Sequence, residues 1–208
     1  MNKNRPLLLI LLLLFLPVLG LQAQEFNAGI FGGLNGSQVD RDGYGGYNKF
    51  SLNAGAFVNR EFAANFFWQL EIKYGGRGVY HRGADITTEF FRSSYQYIEL
   101  PLSVHYLHEG KYQAEIGISP DVLIKVAGSH DPQYPAPIEG IGEYNRFGIN
   151  ILAGVGYWFH PNVGVNLRFT YSVIPFTPMN PAAVRYWYSG WFHNVLSLSA
   201  VYKIFHPK

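Results

Sequence analysis

The sequence predicts an all-β fold, an eight-stranded antiparallel transmembrane β-barrel with short periplasmic turns and long extracellular loops. Three observations predict it. Apolar residues recur at every second position through most of the chain, which is the period of a strand with one apolar face. The segments between these runs alternate between short and long. The composition is 17% aromatic with 23 glycines but only 14% charged, against about 25% charge in an ordinary soluble domain.

The front of the chain reads as a leader. Lys3 and Arg5 precede an unbroken apolar run at 7–16, closed by Pro17, with the small Ala23 further on. That run is short of the ~20 apolar residues a spanning helix needs, so residues 1–23 are expected to be a secretory signal peptide rather than an uncleaved anchor. The domain then covers 24–208. Without the leader, Lys plus Arg falls from 16 to 14, against 14 Asp plus Glu. A near-zero net charge removes the electrostatic case for nucleic acid. There is no cysteine, so neither disulfides nor a lipid-anchored amino terminus is available.

The strands follow in order. The first covers about 26–34 (FNAGIFGGL). In the second, about 50–58, Phe50, Leu52, Ala54, Ala56 and Val58 oppose Ser51, Asn53 and Gly55. In the third, about 66–80, Phe66, Trp68, Leu70, Ile72 and Tyr74 alternate with Gln69, Glu71 and Lys73. The fourth, about 95–107, sets Ile98, Leu100, Leu102, Val104 and Tyr106 against Glu99, Ser103 and His105. The fifth, about 112–126, sets Tyr112, Ala114, Ile116 and Ile118 against Gln113, Glu115 and Ser119.

The sixth and seventh form one hairpin within 150–172. Ile151, Ala153, Val155, Tyr157 and Phe159 continue after the turn as Val163, Val165, Leu167, Phe169 and Tyr171. Asn150, Gly154, Gly156, Gly164, Asn166, Arg168, Thr170 and Ser172 make the other face. The eighth, about 191–205, sets Leu196, Leu198, Ala200, Tyr202 and Ile204 against Ser197, Ser199 and Lys203. Pro101 falls inside the fourth strand. A closed barrel has no edge on which to hide a missing N–H, so a bulge is expected there.

Connections after strands two, four and six are short (59–65, 108–111, 160–162). Those after one, three, five and seven are long (35–49, 81–94, 127–145, 173–190). In a meander this parity collects all long loops at one end, as in outer-membrane barrels. Five apolar positions at alternate residues cover about 27 Å of strand, or roughly 20 Å of height at a tilt near 40°, close to the ~25 Å band of such barrels. Tyr74, Tyr106, Tyr112, Tyr157, Phe159, Tyr171 and Tyr202 sit towards the ends of the apolar faces, where rings meet lipid headgroups. The apolar face is therefore expected to meet lipid. A soluble lipocalin-like barrel, which would turn that face inward, is the alternative.

Four stretches carry a family resemblance: YIELPLSVHY (97–106), EIGISPDVLIKVAG (115–128), GINILAGVGYWFHPNVGVNLRFTYSV (148–173) and NVLSLSAVYKIF (194–205). They resemble the PorT-type outer-membrane β-barrel family, common in Bacteroidota, over essentially the whole chain after the leader. The resemblance implies an integral outer-membrane protein of a Gram-negative bacterium with no catalytic motif and no cofactor. Its partners would be membrane lipid and lipopolysaccharide, and other outer-membrane secretion or assembly proteins. The eponymous member belongs to the type IX secretion and gliding system. Many barrels end on an aromatic residue; here Phe205 is followed by His206, Pro207 and Lys208.

Register places Glu71, Lys73, Glu99, His105, Glu115, Arg168 and Lys203 on the inner face. They are expected to form a polar network filling the lumen, since buried charges must pair and an eight-stranded interior is just wide enough for side chains. A conducting or ligand-binding lumen is the alternative. Ser103 and His105 share that face near Glu99 and Glu115, the residue types of a base-activated hydroxyl. A lipid-modifying enzyme is thus a further alternative, opposed by the inward placement of the nucleophile. His81, His108, His130, His160 and His193 are scattered, and no metal site is expected. Asp40-Arg41-Asp42-Gly43 lacks the rest of a calcium loop and reads as a turn. In the loops, Tyr186, Trp187, Tyr188 and Trp191 form an extracellular aromatic cluster, suited to the outer girdle or to docking. PQYPAP (132–137) is a stiff segment presenting Tyr134.

Overall fold

In a computed structural model, residues 26–40, 46–82, 90–130, 144–177 and 190–205 are described. The expected leader, the aromatics Tyr186, Trp187 and Tyr188, and Tyr134 lie outside them.

Nine strand segments build a closed antiparallel barrel of eight staves. They are β1 (Asn27–Asp40), β2 (Lys49–Ala63), β3 (Phe66–Arg82), β4 (Phe90–Glu99), β5 (Leu102–His108), β6 (Tyr112–His130), β7 (Phe147–His160), β8 (Val163–Ser172) and β9 (Phe192–Phe205). Each pairs with its neighbour, β4 and β5 share one stave, and β9 closes on β1. The register fixes the tilt. A path perpendicular to the strands leaves β1 at Ser37 and passes Val195, Thr170, Leu152, Gly117, Ser103, Gln69 and Asn59. It returns to β1 at Asn27, ten residues lower. A shear of ten over eight staves tilts the strands by roughly 40°.

The alternation resolves as expected. Phe50, Leu52, Leu70, Ile72, Leu102, Ile116, Ile118, Val155, Leu167 and Leu198 are exposed on the outer wall. Glu71, Lys73, Glu99, Ser103, His105, Glu115, Arg168, Ser197 and Ser199 are buried inside. At the turn end the outer wall carries rings in contact, Phe66 with Tyr106 at 5.0 Å, Tyr112 with Tyr157 at 5.4 Å and Tyr157 with Phe159 at 5.0 Å. That is the girdle expected at a headgroup layer.

The expected bulge at Pro101 is absent. Leu70 pairs with Leu102 and Lys73 with Glu99, and on the other side Leu102 pairs with Ile118 and Glu99 with Asp121. The register therefore runs unbroken through the proline, and only the hydrogen bonds change. Glu71 N donates to Pro101 O and Leu100 N to Pro120 O, both at 2.9 Å. In an antiparallel pair a residue's N–H and C=O face the same neighbour, so each of these two rungs keeps one of its two bonds. The stave is split into β4 and β5 by chemistry, without an extra residue. The register shifts lie elsewhere, at Ala28/Gly29, Glu61/Ala63, Gln96/Tyr97 and Trp158/His160.

The long connections are shorter than expected, because β1 runs on to Asp40, β4 begins at Phe90 and β6 continues to His130. These extensions rise above the apolar band, where the outer face no longer needs hydrophobic residues and period two fades from the sequence. Inside this upper part, Val39, Val79, Tyr95, Tyr97, Leu123, Tyr144 and Phe176 form an apolar core. β1 is tied to β3 past the start of β2, where Gly78 N donates to Ser37 Oγ at 2.9 Å and Ser37 Oγ donates to Gly78 O at 3.1 Å. Gly78 has φ +153°, and a Cβ there would collide with Ser93 O.

The outward band makes a depth-dependent prediction. Leu167→Arg, at mid-strand, should destabilise the barrel in lipid vesicles by about 2–4 kcal/mol, and Tyr106→Arg, at the rim, by about 0–1 kcal/mol. Urea-unfolding midpoints in vesicles check this; equal costs at the two sites would reverse the assignment of the lipid face.

Candidate functional site

The lumen is organised around Arg168. From β8 its guanidinium reaches one carboxylate on β3, across the lumen, and one on β6, two staves away. Nη1 and Nη2 donate to Glu71 Oε2 and Oε1 at 2.8 and 2.7 Å, and Nε and Nη2 donate to Glu115 Oε1 and Oε2 at 2.7 and 2.9 Å. Bidentate geometry on both sides uses the planar fork that only arginine offers. Above it, Glu99 holds Lys73 at 3.4 Å and Arg77 at 2.9 Å, and Arg77 reaches Asp121 at 2.9 Å. The Arg77 guanidinium also lies 4.5 Å over the Tyr97 ring.

Each buried carboxylate also receives a neutral donor. Gln69 donates to Glu71 at 2.8 Å, Asn166 to Glu115 at 3.2 Å, Ser119 to Glu99 at 3.4 Å and Asn150 to Asp121 at 2.7 Å. Such a set offsets the desolvation that makes lone buried charges costly. Glycines make the room. A Cβ on Gly154 would strike Glu115 Oε1, one on Gly148 would strike Asp121 Oδ1, and one on Gly75 would sit 2.8 Å from Glu99 Oε1. The glycine-rich inner face is the space into which the carboxylates lean.

Of the inner residues expected from sequence, Glu71, Lys73, Glu99, Glu115, Arg168 and His105 are brought together. Lys203 is not among them: it is half-buried at the turn end, its ammonium 4.1 Å over the Trp158 ring. Arg77 and Asp121 were missed, although extending the parity of Lys73 and of Ser119 by two or four residues finds both. Leu152 and Trp158, apolar yet inward and buried, share the parity of Asn150, Gly154 and Gly156 but lack the polar chemistry by which that face was read. Trp191, expected in an extracellular aromatic cluster suited to the outer girdle or to docking, is half-buried and packs on the inner apolar core, 6.3 Å from Phe176.

The serine–histidine pair does not form a catalytic triad. Trp158 Nε1, a donor only, bonds Gln113 Oε1 at 2.8 Å, which turns the Gln113 amide nitrogen towards His105 Nδ1 at 2.9 Å. Nδ1 must therefore accept, and the ring proton sits on Nε2. That nitrogen faces both Ser103 Oγ at 2.7 Å and Glu115 Oε2 at 3.4 Å. A triad needs an unprotonated nitrogen at the hydroxyl and the carboxylate at the opposite nitrogen. Here both partners share one nitrogen, and it bears the proton. His105 also stacks on Phe67 at 4.6 Å.

At mid-lumen a cavity of about 30 Å³ lies beside Glu71, Lys73, Asn166 and Arg168, room for roughly one or two waters. The upper end is closed by rings: His193 stacks on Phe176 at 3.9 Å, and its Nε2 meets Tyr97 Oη at 2.9 Å. The lower mouth is open, a cavity of about 320 Å³ bounded by Phe67, Trp158, Lys111, Lys203 and the turns.

Removing the clamp should be costly. Arg168→Met leaves Glu71 and Glu115 buried without their cation and should destabilise the barrel by about 3–5 kcal/mol. Ser103→Ala, which removes one neutral hydrogen bond, should cost about 1 kcal/mol. Urea denaturation of the refolded protein measures both, and a Met variant as stable as the Ala variant would mean that the clamp is not what holds the lumen.

Comparison with known proteins adds the family. The model of the outer membrane protein beta-barrel domain matches residues 22–177. No curated protein matches the chain. Among solved structures, the chain is similar to Ail of Yersinia pestis, solved with the heparin analogue sucrose octasulfate, at 12% identity. That match covers 87% of this chain and 100% of that one, with a TM-score of 0.46. Neisserial surface protein A is similar at 11% identity, covering 86% and 97%, with a TM-score of 0.49. OprG of Pseudomonas aeruginosa is similar at 13% identity, covering 89% and 99%, with a TM-score of 0.43. With its lipid-facing band, its polar lumen and the family match over most of its length, the chain belongs to the outer membrane protein beta-barrel domain family and is an outer-membrane protein of a Gram-negative bacterium.

Proposed function

We propose that the protein is a non-conducting, non-enzymatic barrel that serves as a structural element of the outer membrane or as an accessory subunit of a larger outer-membrane assembly. The Arg168 clamp carries this reading. Its two bidentate contacts span the lumen at mid-height and leave about 30 Å³ beside them. A hydrated ion needs a continuous wet path, and a ligand pocket typically needs about 300 Å³ or more. With the lumen filled, work falls to the two ends, as it does where loops on a rigid scaffold carry function. The similarity of 97–106, 115–128, 148–173 and 194–205 to the PorT-type family makes type IX secretion the assembly to test first.

Planar-bilayer recordings of the refolded protein should give no stable unitary conductance. An affinity pull-down of tagged protein from outer membranes in mild detergent should recover secretion or assembly components. Recovery of the barrel alone would favour the structural element. A steady conductance, or a change in lipid composition between strains carrying the native protein and Ser103→Ala, would overturn the proposal.

A further inference from the structure

We propose that the periplasmic mouth is a binding site for the terminal carboxylate of a peptide, with Lys203 as its anchor. Three observations point to a ligand there. First, the cavity is about 320 Å³, ten times the residual space at mid-lumen and large enough for two small residues. It is bounded by the two chain ends of the barrel and by the β5–β6 and β7–β8 turns, so it opens where a periplasmic chain can enter. Its floor is closed by Trp158 and by the Gln113 and His105 layer behind it.

Second, Lys203 differs from the cations of the network above. Lys73, Arg77 and Arg168 each have a carboxylate within 3.4 Å. Lys203 is half-buried, points inward and rests on the Trp158 ring, but has no carboxylate within 4.0 Å among the described residues. The ring holds the ammonium by a cation–π contact, and Lys203 lines the cavity. A partly desolvated ammonium held this way gains from a carboxylate that arrives with a ligand.

Third, the remaining lining selects among anions. Lys111 adds a second cation, while Glu61 and Glu109 offset both. A balanced rim offers no net attraction to polyphosphates or acidic polymers, and leaves room for a single negative charge at Lys203. The Asn59 side chain at the wall and the Phe67 and Trp158 rings suit a peptide group and a small apolar side chain. The site therefore fits one carboxylate attached to a short neutral peptide. It lies apart from the sealed lumen and does not depend on which assembly the barrel joins.

The test uses the full barrel refolded in detergent and two probes, N-acetyl-L-alanyl-L-alanine and its carboxy-terminal amide. Binding is followed by calorimetry and by the Trp158 indole N–H resonance. The acid should bind saturably and shift that resonance, and the amide should bind about tenfold more weakly or not at all. Lys203→Met keeps the apolar stem over Trp158 and should remove the preference for the acid. Lys111→Met, at the exposed rim, should weaken binding but keep the preference. The proposal is overturned if acid and amide bind alike, if Lys203→Met still prefers the acid, or if neither probe moves the indole resonance at millimolar concentration. Far-ultraviolet circular dichroism of each variant separates loss of binding from loss of the barrel.

Discussion

The interior of this barrel depends on one guanidinium. Arg168 joins β8 to Glu71 on β3 and to Glu115 on β6, three staves that are not neighbours. Hydrogen-bond ladders connect only adjacent strands, so without such a contact the wall is a hoop with nothing across it. A lipid-facing exterior adds no inward pressure, because lipid tails and apolar side chains are equally content with each other. Cohesion across the lumen must therefore come from polar contacts. Ion pairs in low dielectric are strong when fully matched and costly when not, which explains why each carboxylate here also has an amide or hydroxyl donor.

The same constraint sets the glycines. An eight-stave barrel cannot hold a large side chain at every inward position. Where Glu115 and Asp121 lean inward, the residues paired with them across the ladder are Gly154 and Gly148, and a Cβ at either would collide with the carboxylate. Large and absent side chains thus alternate around the wall. The inward hydrophobics follow the same logic of volume. Phe31, Phe57 and Val201 line the small cavity beside the clamp and keep bulk water from the ion pairs, which strengthens them.

Much of this was legible in the sequence, and the reasons are specific. The band from Phe50 to Val58 or from Val163 to Tyr171 is readable because one face meets lipid and the other a polar lumen, so chemistry alternates with every residue. Charged inner positions were readable for the same reason. Legibility failed where the environment stops alternating. Above the band both faces of β1 and β6 meet mixed surroundings, and the strands there read as loop. Trp158 shares the parity of Asn150, Gly154 and Gly156 but was not counted among the inner residues, since the inner face was read from its polar and glycine positions. Pro101 was visible, but its consequence was misjudged. A missing donor need not add a residue, because losing one bond of a two-bond rung leaves the register intact. Which carboxylate pairs with which cation depends on stagger around the whole ring, and a shear of ten is a property of all eight staves at once.

The two ends differ in a way that follows from how each is closed. Above the membrane the barrel continues as taller walls around an apolar core, with Tyr95 against Tyr144 and Phe176 at 5.3 and 5.0 Å and Trp191 folded in. Hydrophobic burial can operate there because water lies outside. The outcome is a dry, firm base for the segments beyond it, and rigidity is what a recognition surface on loops requires. At the periplasmic end the turns are too short to fold inward. Asn59, Lys111, Lys203 and Trp158 are left lining a wet mouth, where charged groups can still take a partner. A sealed centre separates the two. Binding at one end is thus insulated from the other unless it moves the Arg168 clamp, and moving that clamp means separating a buried guanidinium from both of its carboxylates.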